Sequence, residues 1–360
     1  MLRALIFFII FFFIIVPVSG TIVTYIPDNG SISSLDVMDI SESHDGMITF
    51  ATTNGLSLFD SGWATIQAEP WEYETGLQDN YIQTIEYDEN NVLWLGFSAG
   101  VQQYDGITFT KVGTNEIFST MPIHDILRDN DNIWIANGNS GLNVYSDGKW
   151  EWIRPFTENG PGAYYITSMA KDHATGNCII TTRLNGIWKG ISDEEGLRFV
   201  QISINEEESG KMTNVVDYPF GGVIIFNENT IQYYSESGGI VPIANYAALG
   251  YGVSRINDVA VTENGIFVIG TNNGLYGYYN GEVIVHITRN IDGISNDEVT
   301  KVFSDSKGRW WFITKGEAGY YQMDDIPEKI PVSIVDEYIS DNSYSSESSE
   351  PIQVPVHYTE

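Results

Sequence analysis

Between residues 21 and 333 the chain alternates short apolar runs with polar turns, and the alternation itself repeats. The most apolar runs fall at residues 47–51, 92–97, 132–136, 178–182, 222–226, 266–270 and 310–314. Near-continuous hydrophobicity over five or six residues predicts a strand buried on both faces. A β-branched run precedes each one, separated by a turn such as Asp45-Gly46, Asn90-Asn91 or Asn264-Gly265. Such turns are hairpin signals. After each apolar run comes a Gly followed by an aliphatic or aromatic residue: Gly55-Leu56, Gly100-Val101, Gly141-Leu142, Gly186-Ile187, Gly274-Leu275 and Gly319-Tyr320. Thr230-Ile231 is a degenerate copy with Thr in place of Gly. The spacings are 45, 41, 45, 44, 44 and 45 residues.

Seven copies at this period predict propeller blades. Each copy supplies four strands, the last read at residues 63–68, 107–112, 149–154, 197–202, 239–244 and 282–287. The seventh copy needs a fourth strand from elsewhere. Residues 22–26, followed by the loop at 28–33, match the fourth strand at 285–288 and its loop at 291–296. The reading is therefore an all-β fold, a seven-bladed β-propeller of four-stranded antiparallel blades, closed by the N-terminal strand. Closure removes exposed strand edges. The rival closing strand is residues 329–335.

The repeat resembles the two-component regulator propeller repeat family. The resemblance rests on residues 264–275 (NGIFVIGTNNGL), on Asn91-Val92-Leu93-Trp94-Leu95-Gly96 with Tyr104-Asp105, on Thr75-Gly76-Leu77-Gln78-Asp79-Asn80, and on residues 307–314. It spans about residues 21–325 and is weakest in copies four and five. It implies a seven-bladed propeller outside the membrane, typically the sensor half of hybrid histidine kinases, with some members recognising oligosaccharides. No kinase or output segment and no second apolar span follows in this sequence. The expectation is an exported, non-catalytic binding or scaffold propeller. It would recognise a carbohydrate or a protein on its loop face, or pass a signal to a separate membrane protein. The alternative is a metal-assisted carbohydrate-active lyase or hydrolase using residues at the channel mouth.

Candidate chemistry concentrates where innermost strands surround the propeller axis. Two positions beyond the first aliphatic of each stand Asp39, Thr84, Asp125, Ser168, Asp217, Asp258 and Lys301. Four carboxylates at one level, Asp39, Asp125, Asp217 and Asp258, suggest a hard-cation site for Ca²⁺ in the central channel. The opposing expectation is that each pairs with backbone N–H groups or with Lys301. One position before the aliphatics stand Tyr81, Tyr165, Asn214, Arg255 and Glu298, a set suited to gripping a ligand at the mouth. His124 opens an innermost strand and joins that set. Trp94, Trp134 and Trp311 fall on buried strands and read as core, whereas Trp150 and Trp152 alternate on an outer strand. The single cysteine, Cys178, excludes an internal disulfide and reads as a buried apolar residue.

The ends differ from the repeat. Arg3, the apolar run 4–16 and the small residues 18–20 read as a secretory signal peptide, residues 1–20, or as an uncleaved N-terminal tether. Residues 334–360 carry six acids and no base and read as a solvated tail. The net charge of −31 argues against nucleic acid. Most of that charge belongs to residues 21–333, which carry −26.

Overall fold

A computed structural model describes residues 19–27, 30–71, 75–193, 196–202, 213–290 and 293–325. The signal segment up to residue 18, the acidic tail and the rival strand at 329–335 lie outside the described residues. The described strands form seven four-stranded antiparallel sheets. Six are built from consecutive strands, and the seventh joins the two ends of the repeat. Gly20–Tyr25 pairs with Ala318–Met323, with Ile22 opposite Tyr321 and Thr24 opposite Gly319. The N-terminal strand therefore closes the ring. Among the described residues no helix is long and apolar enough to cross a membrane.

The inner strands are Val37–Glu42, Ile82–Tyr87, Ile123–Asp129, Ile166–Lys171, Asn214–Asp217, Ile256–Val261 and Val299–Ser304. We number the blades 1 to 7 in that order. The second strand of every blade is buried nearly throughout, as its apolar run requires. Cys178 lies among these buried residues. The recurrent glycine has a local cause. Gly55 and Gly274 have φ of 92° and 111°. A Cβ at either would stand 2.3 or 2.4 Å from the carbonyl oxygen of Ile66 or Ile287 on the fourth strand. Only glycine meets both constraints.

Side chains from facing blades interleave to form the core. The closing seam carries the densest aromatic packing. Tyr25 of the closing strand lies against Phe59 and Trp63, with ring centroids 5.5 and 5.2 Å away. Phe59 and Phe50 of blade 1 meet Trp311 of blade 7 at 5.1 and 5.4 Å. Arg309 stacks over Trp311 at 5.1 Å and is held by the fully buried Asp305, which also accepts from Trp311 Nε1 at 2.8 Å. Trp94 and Trp134 are core as expected, while Trp150 packs on Phe118 and Trp94.

The closing strand thus both ends an open edge and completes an aromatic core. Removing residues 19–26 should lower the folding free energy by about 3 kcal/mol or more, on the scale of losing a large core side chain, and promote association through the exposed edge. Calorimetry with light scattering on the truncated protein checks this. An unchanged melting temperature would show that the strand does not close the ring.

Candidate functional site

In a propeller blade the inner strand has only one hydrogen-bonded neighbour, and its other edge faces the channel. That edge presents backbone N–H and C=O groups that need partners. Among the described residues six inner strands carry a β-bulge at the same place, just before the residue predicted to ring the axis. The bulge turns two consecutive side chains toward the neighbouring blade.

The carboxylates use this position to bond across blade seams. Asp39 accepts from Thr84 Oγ1 and Ile85 N, both at 2.9 Å. Asp125 accepts from Met169 N at 2.6 Å, and Asp258 accepts from Val302 N at 3.0 Å. Lys301 Nζ lies 3.6 Å from Asp258. Ser168 donates to Val215 O at 3.0 Å. At three of the seams the residue one position earlier adds a donor to a carbonyl of the next blade. His124 Nδ1 lies 3.1 Å from Ile166 O, which places the ring proton on that nitrogen. Asn257 Nδ2 donates to Val299 O at 2.7 Å. The Gln83 amide, turned with its nitrogen toward the next blade, reaches Ile123 O at 2.8 Å.

Two placements differ from the sequence reading. Asn214 pairs with Phe226 as Ser168 pairs with Thr181 and Asp125 with Ala136. The ring residue of blade 5 is therefore Asn214, and Asp217 lies three residues further along, level with Lys171 of blade 4. Asp217 there accepts from Lys171 N at 2.7 Å and pairs with His173 at 3.0 Å. The described strand of blade 5 begins at Asn214, so its first described apolar residue, Val215, follows the ring position, and counting two on from it overshoots the register. The second difference concerns the cation. Asp39, Asp125, Asp217 and Asp258 all border one central cavity of about 520 Å³. Yet no group of three or more His, Cys, Asp or Glu side chains among the described residues is arranged to hold a metal ion. Each carboxylate is turned along the ring to an adjacent backbone, not inward to a common point.

Glu86 also borders the cavity and is missed by the one-position ring. Burial, then the nearby Asp39, push Glu86 up to about 8. Asp125 is likewise pushed up to about 8, mainly by burial and then by Asp39. Burial also raises Asp258 against the opposing pull of Lys301. The charge of Asp258 raises Lys301.

At the mouth the predicted residues divide into two groups. His124 and Tyr165 stack with ring centroids 6.3 Å apart and an interplanar angle of 12°. Tyr81 is exposed, and its N–H is held by Asp79. Arg255 and Glu298 form an ion pair, Lys315 Nζ meets the other Glu298 oxygen at 2.6 Å, and Arg255 Nε donates to Asn257 at 2.9 Å. Lys315, with Arg255, holds Glu298 below the usual carboxylate range. Beside Arg255 a cleft of about 550 Å³ opens between blades 5 and 6. Asn214, Asn227, Glu228, Asn229, Arg255 and Asn257 line it over Phe226 and Ile256. Among the described residues no inner-strand side chain bonds across this seam. The two blades are linked instead by Ile256 N to Glu228 O, 2.8 Å, at the rim and by Tyr278 Oη to Ile243 O, 3.3 Å, further out.

No family model matches the chain, and no curated protein does. Solved structures do. The extracellular domain assigned to the hybrid two component system BT3049 from B. thetaiotaomicron superposes with a TM-score of 0.68 at 17% identity, over 85% of this chain and 41% of that one. In fold, the chain is a propeller of that kind. The extracellular domain assigned to the one component system BT4673 from the same organism gives 0.63 at 20% identity, over 82% of this chain and 39% of that one. This propeller thus spans about two fifths of the length of those sensor domains. A streptogramin B lyase structure gives 0.64 at 15% identity, over 85% of this chain and 98% of that one. At these identities the likeness is one of fold.

The raised carboxyl groups make stability depend on pH. Glu86 is protonated in both states below its ordinary value, near 4.5, and ionised in both above about 8. Between these limits the unfolded chain loses the proton first, so stability falls as pH rises, by up to about 1.4 kcal/mol per pH unit for each such group. Glu86→Gln removes its share. The variant should gain melting temperature over the parent progressively from pH 5 to pH 8, measured by calorimetry. Parallel curves would show that Glu86 is ionised in the fold.

Proposed function

We propose that this chain is an extracytoplasmic, non-catalytic binding propeller of a sensing system, with its ligand site on the mouth face. The observation that carries the reading is the cleft between blades 5 and 6, beside Arg255. Asn214 and Asn229 line it with amide groups, a donor and acceptor pair of the kind that meets the paired hydroxyls of an oligosaccharide, while the Asn257 amide and Asn227 Oδ1 are engaged by neighbouring protein groups. Asn214, Arg255 and Glu298, three of the predicted mouth residues, gather at or beside it. The apolar segment after Arg3 supports export. The likeness of fold to extracellular sensor domains supports a place outside the cytoplasm. The signal would pass to a separate membrane protein, with residues 334–360 as a solvated tail.

The rival reading is a lyase or hydrolase working at the channel mouth. It has less support. His124 is engaged by a backbone carbonyl, and the channel carboxylates are occupied by backbone N–H groups. The fold likeness to a streptogramin B lyase carries no residue of this chain into that role.

Calorimetric titration with a panel of neutral and acidic oligosaccharides tests the proposal. Arg255→Ala and Asn229→Ala should each weaken the productive titrant about tenfold, the loss of one good hydrogen-bonding partner. Silence across the panel overturns the carbohydrate reading, and undiminished affinity in both variants moves the site elsewhere.

A further inference from the structure

The loop joining blade 3 to blade 4 presents aromatic side chains to solvent on the mouth face. Phe156 is 56% exposed, Tyr164 53%, and Tyr165 42%. Leu184, in the neighbouring loop of blade 4, is 76% exposed. These residues are contiguous. The rings of Phe156 and Tyr164 lie 4.7 Å apart, and Arg183 N bonds Tyr165 O at 2.9 Å, which sets Leu184 beside it. Scattered surface hydrophobics need no explanation, but a cluster of this size does.

The loop is also built to hold its shape. Phe156 has φ of 57°, a left-handed conformation that is uncommon for a bulky residue. It is locked there by its N–H bond to Pro161 O at 2.9 Å and by Thr157 Oγ1 to Arg154 O at 2.8 Å. Asn159 O accepts from Phe199 N at 3.0 Å, tying the loop to the outer strand of blade 4. Gly162 lies flat against Trp188, where a Cβ would come within 2.7 Å of the ring. Strain maintained by surrounding structure, with the strained side chain pointing into water, indicates a contact to be made.

Charge identifies the occupant. The chain carries −31, so two copies repel over most of their surface. This patch departs from that. Arg154, stacked on Trp152 at 4.3 Å, and Arg183 flank the aromatics, and neither joins an ion pair among the described residues. Glu158, on the same loop, is exposed. Aromatic residues with arginine are the usual anchors of protein interfaces. Across a two-fold axis, Arg154 and Arg183 of one copy can face Glu158 of the other while the aromatic rings pack together.

We propose that this side of the rim is a self-association surface, through which two copies of the chain pair about a two-fold axis. The pairing is independent of the ligand reading, because it uses the rim over blades 3 and 4 and leaves the cleft between blades 5 and 6 open.

Sedimentation of the purified protein over a range of concentrations tests the pairing. The expected result is a concentration-dependent monomer–dimer equilibrium. Phe156→Gly should weaken association about tenfold or more, as removal of an interface anchor does. Because glycine suits a φ of 57°, the same variant should keep or raise the melting temperature, so its effect cannot come from misfolding. Leu184→Asp should weaken association as well. A parent protein that stays monomeric at every concentration overturns the proposal, as does a dimer that both variants leave unchanged.

Discussion

The inner strand of a propeller blade has an edge with no strand beside it. Seven such edges face one channel here, and each exposes backbone groups that water or protein must satisfy. This chain meets the demand with side chains placed by a repeated bulge. At the seams between blades 3 and 4 and between blades 6 and 7 the arrangement is complete, with one donor to a carbonyl and one carboxylate to an N–H. The seams between blades 1 and 2, 2 and 3, and 4 and 5 use parts of it, with Asp39, Gln83 and Ser168. The bonds lie in a region of lowered dielectric, where a hydrogen bond to a charged group contributes about 1.5–3 kcal/mol. They hold neighbouring blades in register where the apolar side chains cannot reach.

The same arrangement explains why the channel reads as a cation site in the sequence and not in the fold. A ring of aspartates at one level is visible from spacing alone. The direction in which each carboxylate turns is not, because it depends on the bulge and on the neighbouring backbone. Burial in the ring raises Glu86, Asp125 and Asp258, and the charge of Asp39 adds to it. Here acidity belongs to the architecture of the ring as well as to its solvated exterior.

The blades themselves were legible because burial on both faces leaves little freedom of composition. The second strands are nearly continuously apolar, and the glycine before the third strand has a positive φ in blades 1 to 4 and 6; in blade 7 Glu317 takes that place and Gly319 lies within the strand. The closing strand was legible because it keeps the composition of an ordinary fourth strand. Blade 5 was harder. Its described inner strand starts at the ring position itself, Asn214, and its first described apolar residue, Val215, follows that position instead of preceding it. The cleft beside it was half legible. Asn214 and Arg255 stood in the predicted mouth set, whereas the segment 227–229 lies in another loop of blade 5 and joins them only in the fold. Glu86 lies two positions past the ring residue Thr84, and nothing in its own strand marks it as facing the enclosed channel.

The ring-position bonding is absent among the described residues at two seams: that between blades 7 and 1 is closed by aromatic packing and by Glu42 with Ser306, whereas that between blades 5 and 6 opens into a cleft at the mouth. In the open seam, the lack of an inner-strand side chain across it leaves room for a ligand. The claim on which this rests is that the carboxylates act on backbone N–H groups of the next blade. Amide hydrogen exchange at Met169 tests it most directly. Met169 N faces Asp125, whereas Ile180 N lies in the interior of the blade 4 sheet. The account predicts slow exchange at both in the parent protein, and in Asp125→Ala fast exchange at Met169 with Ile180 still protected. Exchange at Met169 that is already fast in the parent, or that Asp125→Ala leaves unchanged, would contradict it.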